Sequence, residues 1–152
     1  MMKLMRTLML GAGLAVVSAT GAFAHHSAAM FDQSQVVTVS GVVREFQYTN
    51  PHSWLVVDVT NEDGSTTVWG FEAEGPSTLM RAGIRRNDLQ PGTEITIRGN
   101  PMRDGRPAAA WVDAVLADGT QINPGNGFAV LPAGAAESYR PQTPGASEDA
   151  AE

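Results

Sequence analysis

The stretch VVTVSGVVREFQYTNPHSWLVVDVT, residues 36–60, decides the fold that the sequence predicts. Apolar residues alternate with polar ones from residue 36 onward, which is typical of a half-buried β-strand. Gly41 interrupts this run and indicates a bulge or a bend. Asn50-Pro51-His52 ends it, because proline has no N–H to donate and favours extended geometry at the preceding residue. The stretch therefore predicts a long, bent first strand, a corner and a second strand.

Further strands follow on the C-terminal side of this stretch, and one short helix separates them. Residues 61–65 (NEDGS) are a hairpin loop, and Pro76 and Gly83 bound the helix. The predicted elements are strands at 36–48, 53–60, 66–72, 93–98 and 108–116 and a helix at 76–82. Five strands with a helix after the third match the order of an OB-type barrel, so we predict a mainly β, small five-stranded OB-like barrel. An open β-sandwich fragment is the alternative, and it would leave an unprotected sheet edge.

Residues 1–24 have the features of an export signal. Lys3 and Arg6 form a positive start, residues 8–17 (LMLGAGLAVV) are a short apolar run, and residues 22–24 (AFA) suit a cleavage site. A bilayer span needs about 20 apolar residues, which is longer than this run. The sequence therefore predicts cleavage after Ala24, a periplasmic or secreted protein, and no membrane insertion afterwards. A retained anchor is the alternative.

The charge of the chain argues against a nucleic-acid partner. The chain has 10 basic and 16 acidic residues, and loss of Lys3 and Arg6 would leave 8 basic residues. Such a surface repels a phosphate backbone. Cysteine is absent from the sequence, so the predicted domain, residues 25–122, depends on its core rather than on disulfides. Residues 123–152 are rich in Gly, Pro and Ala, and we predict a disordered acidic tail there.

The three histidines of the chain are His25, His26 and His52. Cleavage after Ala24 would make His25 the N-terminus, where its α-amine and its Nδ1 form one chelate ring. The reference pKa of an α-amine is about 7.7–8.0, so the amine gives up its proton to a metal readily. A third nitrogen from His52 completes a set that suits Cu(II) best among divalent ions. We therefore predict a metal site at these histidines, with copper as the favoured ion.

Two other arrangements of these histidines stay open. His26 can bind through the terminal amine, its own amide nitrogen and its imidazole, and Asp32 or Glu45 could add an oxygen ligand. In the other arrangement, His25 and His26 are solvated and His52 caps a turn. The protein would then be a non-catalytic structural or interaction domain that contacts an envelope protein and holds no metal.

The aromatic and acidic residues have simpler structural interpretations. Glu72, Glu74 and Glu45 resemble paired carboxylates for acid–base chemistry, but solvated strand ends explain them better in an acidic protein. No serine lies in a Gly-x-Ser-x-Gly context, and no catalytic residue is assigned from the sequence. An oxidative or hydrolytic metalloenzyme is the third and least favoured alternative, because neither a general base nor a substrate cleft is readable. The aromatic residues are predicted to fill the barrel core rather than to form a binding platform. They are Phe46, Tyr48, Trp54, Trp69, Phe71 and Trp111.

The chain resembles a family of small exported bacterial proteins of unknown function. The resemblance covers about residues 24–122 and depends on the combination of several short motifs. It implies export and a small β-barrel, and it implies no activity. The motifs are His25-His26-Ser27, Thr49-Asn50-Pro51-His52 with Trp54, Trp69-Gly70-Phe71-Glu72, Gly75-Pro76-Ser77 and Pro91-Gly92.

Overall fold

Five strands close into a barrel in the computed structural model, which describes residues 28–133. The sheet order is β3-β2-β1-β4-β5-β6, and a parallel β3–β5 pairing from Gly70↔Ala108 to Glu72↔Ala110 closes the barrel. The predicted mainly β barrel is therefore confirmed. The strands are β1 (Val37–Gln47), β2 (His52–Thr60), β3 (Thr66–Glu74), β4 (Glu94–Pro101), β5 (Ala108–Leu116) and β6 (Gln121–Ile122).

Strand β1 bends so that it can pair with both halves of the sheet. It pairs with β4 from Val37 to Val42 and with β2 from Val42 to Gln47. The register shifts between Val43 and Glu45, and this bulge turns Val43 and Phe46 toward the interior although they lie three residues apart. The predicted bend is confirmed, and the bulge follows Gly41 rather than lying at it.

The helix predicted between the third and fourth strands is α1, Pro76–Arg81. Proline occupies its first turn, and Gly83, with a φ of 84°, follows its end. Leu79 is fully buried and packs into the barrel core, so α1 covers one end of the barrel. Residues 28–29 are also helical, at the start of the described chain. Within residues 28–133, none of the helical segments has both the length and the apolar character that crossing a bilayer requires.

The barrel core holds most of the aromatic residues, as predicted, but not all of them. Phe46 packs edge-on against Tyr48 at 5.4 Å and against Trp111 at 6.4 Å between ring centroids. Trp54 differs, because it lies on the outer face of the sheet over Gly70, where a Cβ would come within 3.2 Å of the indole ring. The core prediction is therefore wrong for Trp54.

Residues 123–133, which the sequence assigns to a disordered tail, lie against the barrel. Pro124 is fully buried, and the Asn126 side-chain amide donates to the backbone oxygens of Glu72 and Trp111 at 3.0 and 3.1 Å. The buried side-chain amide of Asn126 thus satisfies two backbone oxygens of the barrel. A composition rich in Gly and Pro does not reveal such hydrogen bonds. We call residues 123–133 the C-terminal segment. Residues 134–152 of the predicted tail lie outside the described residues.

The contacts of the C-terminal segment predict different outcomes for two truncations. A chain ending after Ala133 keeps the whole segment and should melt within about 2 °C of the full chain. A chain ending after Asn123 loses Pro124 and both Asn126 hydrogen bonds, and its melting temperature should fall by about 5–10 °C. Thermal unfolding followed by circular dichroism measures both. Equal melting temperatures for the two truncations would mean that the segment contributes nothing to stability.

Candidate functional site

His52 lies at the corner that connects β1 to β2. The Asn50–Pro51 peptide bond is cis, and His52 is the first residue of β2. Its cross-strand neighbour on β3 is Glu74. Leu55 and Val57 of β2 lie in the barrel core, and side chains alternate along a strand, so the side chains of His52 and Glu74 lie on the outer face of the barrel. About 20% of that side chain is exposed.

Glu72 is the hydrogen-bond partner of His52. The Nδ1 of His52 contacts Oε1 of Glu72, whose side chain is only 4% exposed. An ionised carboxylate can only accept a hydrogen bond, so Nδ1 of His52 carries the proton and donates the hydrogen bond to Glu72. In a neutral imidazole this leaves the Nε2 lone pair available as a ligand or as a base. The prediction that Glu72 is a solvated strand end is therefore wrong.

Phe128 of the C-terminal segment covers the imidazole. Its ring is stacked on His52 with a centroid distance of 5.3 Å and an interplanar angle of 29°. Phe31 stacks on Phe128 at 6.3 Å, and Phe31 packs with Met102 and Ala110 in a small cluster separate from the barrel core. Packing from outside the barrel therefore fixes the plane of the His52 ring.

Asn100 joins the C-terminal segment to residues 28–35, which we call the N-terminal arm. Its side-chain amide donates to Gln35 O at 2.8 Å and to Val130 O at 2.7 Å, and its Oδ1 accepts from Val130 N at 2.7 Å. Gln33 of the arm also donates to Phe128 O at 2.8 Å. The arm and the segment therefore form one layer over the outer face, beside His52.

Of the three predicted metal ligands, His52 lies within the described residues, whereas His25 and His26 lie outside them. Asp32 accepts hydrogen bonds from the side chains of Ser34 and Gln35, and the Ser34 bonds hold the pKa of its carboxyl below the usual value. Glu45 accepts from Gln47 on β1. Within residues 28–133, no three His, Cys, Asp or Glu side chains are grouped as metal ligands.

Sequence analysis named Glu72 only as a solvated strand end and missed its pairing with His52, although the chain carries a signal for it. The five-residue loop at 61–65 pairs Thr60 with Thr66, and counting back along the ladder places His52 opposite Glu74. Glu72 is then the diagonal neighbour of His52 on the same face, within reach of a long side chain. The coverage by Phe128 had no such signal, because it depends on a distant part of the chain.

The fold and this site define a small closed β-barrel with a covered His–Glu pair on its outer face. The chain belongs to DUF6152, a family of unknown function, whose model matches residues 13–110, more than half of the chain. No curated protein matches the chain.

Proposed function

We propose that the protein is an exported metal-binding module, with copper as the favoured ion and His52 Nε2 as one ligand. The other ligands are the α-amine and Nδ1 of His25 after cleavage behind Ala24, or the equivalent set at His26. The module binds, carries or buffers the ion, and no catalytic step is required. The observation that carries the proposal is the hydrogen bond from His52 to the buried Glu72 carboxylate.

This hydrogen bond is the arrangement that metal-binding histidines use. A histidine that binds a metal through one ring nitrogen nearly always donates its other N–H to a carboxylate, a carbonyl or water. The partner fixes the tautomer and makes the ligating nitrogen more basic. Here Glu72 occupies the partner position, and stacking on Phe128 restrains the ring. The His52 ring is therefore already oriented to bind a metal, and the entropy cost of ordering the ring is incurred on folding rather than on metal binding.

The length of the chain before Phe31 allows the N-terminal histidines to reach His52. The Phe31 ring lies within about 12 Å of the His52 ring, because both stack on Phe128. Residues 28–31 form a turn closed by the hydrogen bond from Phe31 N to Ala28 O, so the chain from His26 to Phe31 can span up to about 12 Å. The position of the N-terminal arm beside His52 thus supports a site formed by His52 together with His25 or His26.

The ligand types favour copper. Cu(II) binds nitrogen ligands more strongly than the other first-row divalent ions, and it accepts a planar arrangement of three nitrogens. A hard ion such as calcium prefers oxygen ligands, and Oε1 of Glu72 is already engaged with His52. The affinity should fall at low pH, because both the amine and the imidazoles must lose protons to bind.

A copper titration by calorimetry tests the proposal on protein whose N-terminus is His25. His52→Phe keeps an aromatic ring against Phe128 and removes the nitrogen ligand, so it should lower the affinity strongly. Glu72→Gln should weaken binding by about 10–100-fold, because the tautomer of His52 is no longer fixed. Glu72→Gln should melt close to the unaltered protein, since the stacked layer is kept. His52→Phe should melt lower, because the buried Glu72 carboxylate loses its donor, so its affinity is measured at a temperature where the variant is folded.

Glu74→Gln is the matched control for Glu72→Gln. It removes the same charge from the direct cross-strand neighbour of His52 and leaves the Nδ1 hydrogen bond in place. Its affinity should stay within about threefold of the unaltered protein. If all three variants bind copper as the unaltered protein does, His52 is not a ligand. If the unaltered protein binds none, the interaction-domain interpretation is the better one.

A further inference from the structure

A groove of about 740 Å³ lies at the point where β1 leaves β2 and continues beside β4. Val42 pairs with both neighbours, and beyond it the strands β2 and β4 diverge. The groove is lined by β1, the start of β4, the end of β5 with the turn after it, and the last residues of β2, and we call it the β1 groove. His52 begins β2 and Asp58 lies near its other end, so the groove and the His52 site are about 20 Å apart along the strand.

The floor of the β1 groove is apolar. Val42, Val115 and Leu116 line it, and Val42 is 40% exposed although it belongs to a central strand. Val42 is the exposed part of this floor, whereas Val115 is buried, so a ligand that covers Val42 gains about 25 cal/mol per Å² of apolar surface.

The rim of the β1 groove is acidic. Asp58, Glu94 and Asp118 line it, and none of the described residues that line it is basic. Asp58 is paired with Arg44 at 2.7 Å, whereas Glu94 and Asp118 have no basic partner within residues 28–133. Hydrogen bonds from Thr120 keep the pKa of the Asp118 carboxyl below its usual value, so this charge persists in mildly acidic solution.

We infer that the β1 groove binds small amphiphilic cations, molecules with an apolar body and one ammonium or guanidinium group. The volume lies within the range of about 300–1,000 Å³ that small-molecule sites occupy. The body of such a ligand covers Val42, Val115 and Leu116, and its cation meets Glu94 and Asp118. A neutral ligand would leave the acidic rim without a counter-charge, and an anion would be repelled by it. This site does not depend on the metal site at His52.

Tryptamine and indole-3-acetate form a matched pair of probes, because they share one apolar ring system and carry opposite charges. Amide chemical shifts from two-dimensional NMR report the binding of each probe to the full chain. Tryptamine should shift the amides of Gly41, Thr96 and Gly119 and bind about tenfold or more tightly than indole-3-acetate. Equal affinities, no tryptamine binding, or shifts confined to another face would each overturn the inference.

A double variant, Glu94→Gln with Asp118→Asn, tests the role of the rim. It should reduce tryptamine affinity about tenfold, since both unpaired carboxylates are lost. Asp63→Asn is the control for the Asp118 change. Asp63 accepts from the Ser65 amide as Asp118 does from the Thr120 amide, at 2.9 Å in both turns, and it lies outside the groove. If Asp63→Asn weakens binding as much as the double variant, the attraction is general and the inference fails.

Discussion

Acetylation of the α-amine of His25 should lower the affinity for Cu(II) by orders of magnitude and leave the melting temperature of the barrel unchanged. The proposed site uses the free α-amine as a ligand. The acetyl group converts that amine into an amide nitrogen, which must lose a far less acidic proton before it binds, and it adds no new terminal amine. One ligand and one chelate ring are therefore lost together, whereas residues 36–122 are unaltered. Calorimetric titration of the acetylated and unacetylated proteins measures the difference.

His26→Ala separates the two arrangements proposed for the terminal histidines. If His25 supplies the amine and the imidazole, this substitution should change the affinity little. If His26 supplies the imidazole, it should weaken binding strongly, and the acetylated protein should also bind weakly. Equal copper affinities for the acetylated and unacetylated proteins would exclude the terminal amine as a ligand. In that case Glu72→Gln still reports on whether His52 binds a metal.

Gly41→Ala should destabilise the barrel by about 3 kcal/mol and lower its melting temperature by roughly 15 °C. A Cβ at Gly41 would overlap the backbone oxygen of Asp58 and lie 2.8 Å from Val57 Cγ1. Both atoms belong to β2, which is held between β1 and β3 in a closed barrel and cannot move away alone. Thermal and urea unfolding of the variant measure the loss.

Gly70→Ala is the matched control, because it makes the same substitution inside another strand. A Cβ at Gly70 would meet only ring atoms of Trp54, at 3.2 and 3.3 Å. That side chain lies on the outer face and can shift, so the cost should stay below about 1 kcal/mol. If both variants unfold at the same temperature, the close approach of β1 and β2 at Gly41 does not limit the packing of the barrel.

The fold was predictable because its signals are local. The alternation of apolar residues, the corner at Asn50-Pro51-His52 and the loop at 61–65 place each strand within a few residues of its observed bounds. The proline and glycine around α1 act within one turn of the helix. A barrel requires one strand that reaches both halves of the sheet, and the length of β1 together with Gly41 indicates that strand.

Only part of the His52 site was predictable, because the residues that cover it come from a distant part of the chain. His52 follows from the corner, whereas the burial of Glu72 depends on Asn126 and Phe128 from the C-terminal segment. A composition rich in Gly and Pro suggests disorder when it is judged by apolar content alone. Here Asn126 and Asn100 hold the segment through their side-chain amides, and such contacts leave no period in the sequence.

Asn100 holds the N-terminal arm beside the C-terminal segment, and this proximity allows the barrel to be built from a chain with different termini. One side-chain amide holds Gln35 O of the N-terminal arm and Val130 O of the C-terminal segment, so the two runs of chain leave the barrel side by side. Circular permutation is tolerated where ends are close and where new ends open in exposed loops. A short Gly/Ser linker between the arm and the segment, with new termini opened at residues 61–65, would give the same barrel with its strands in a different order. Such a permutant keeps His52 beside Glu72 while the α-amine moves to the opposite end of the barrel.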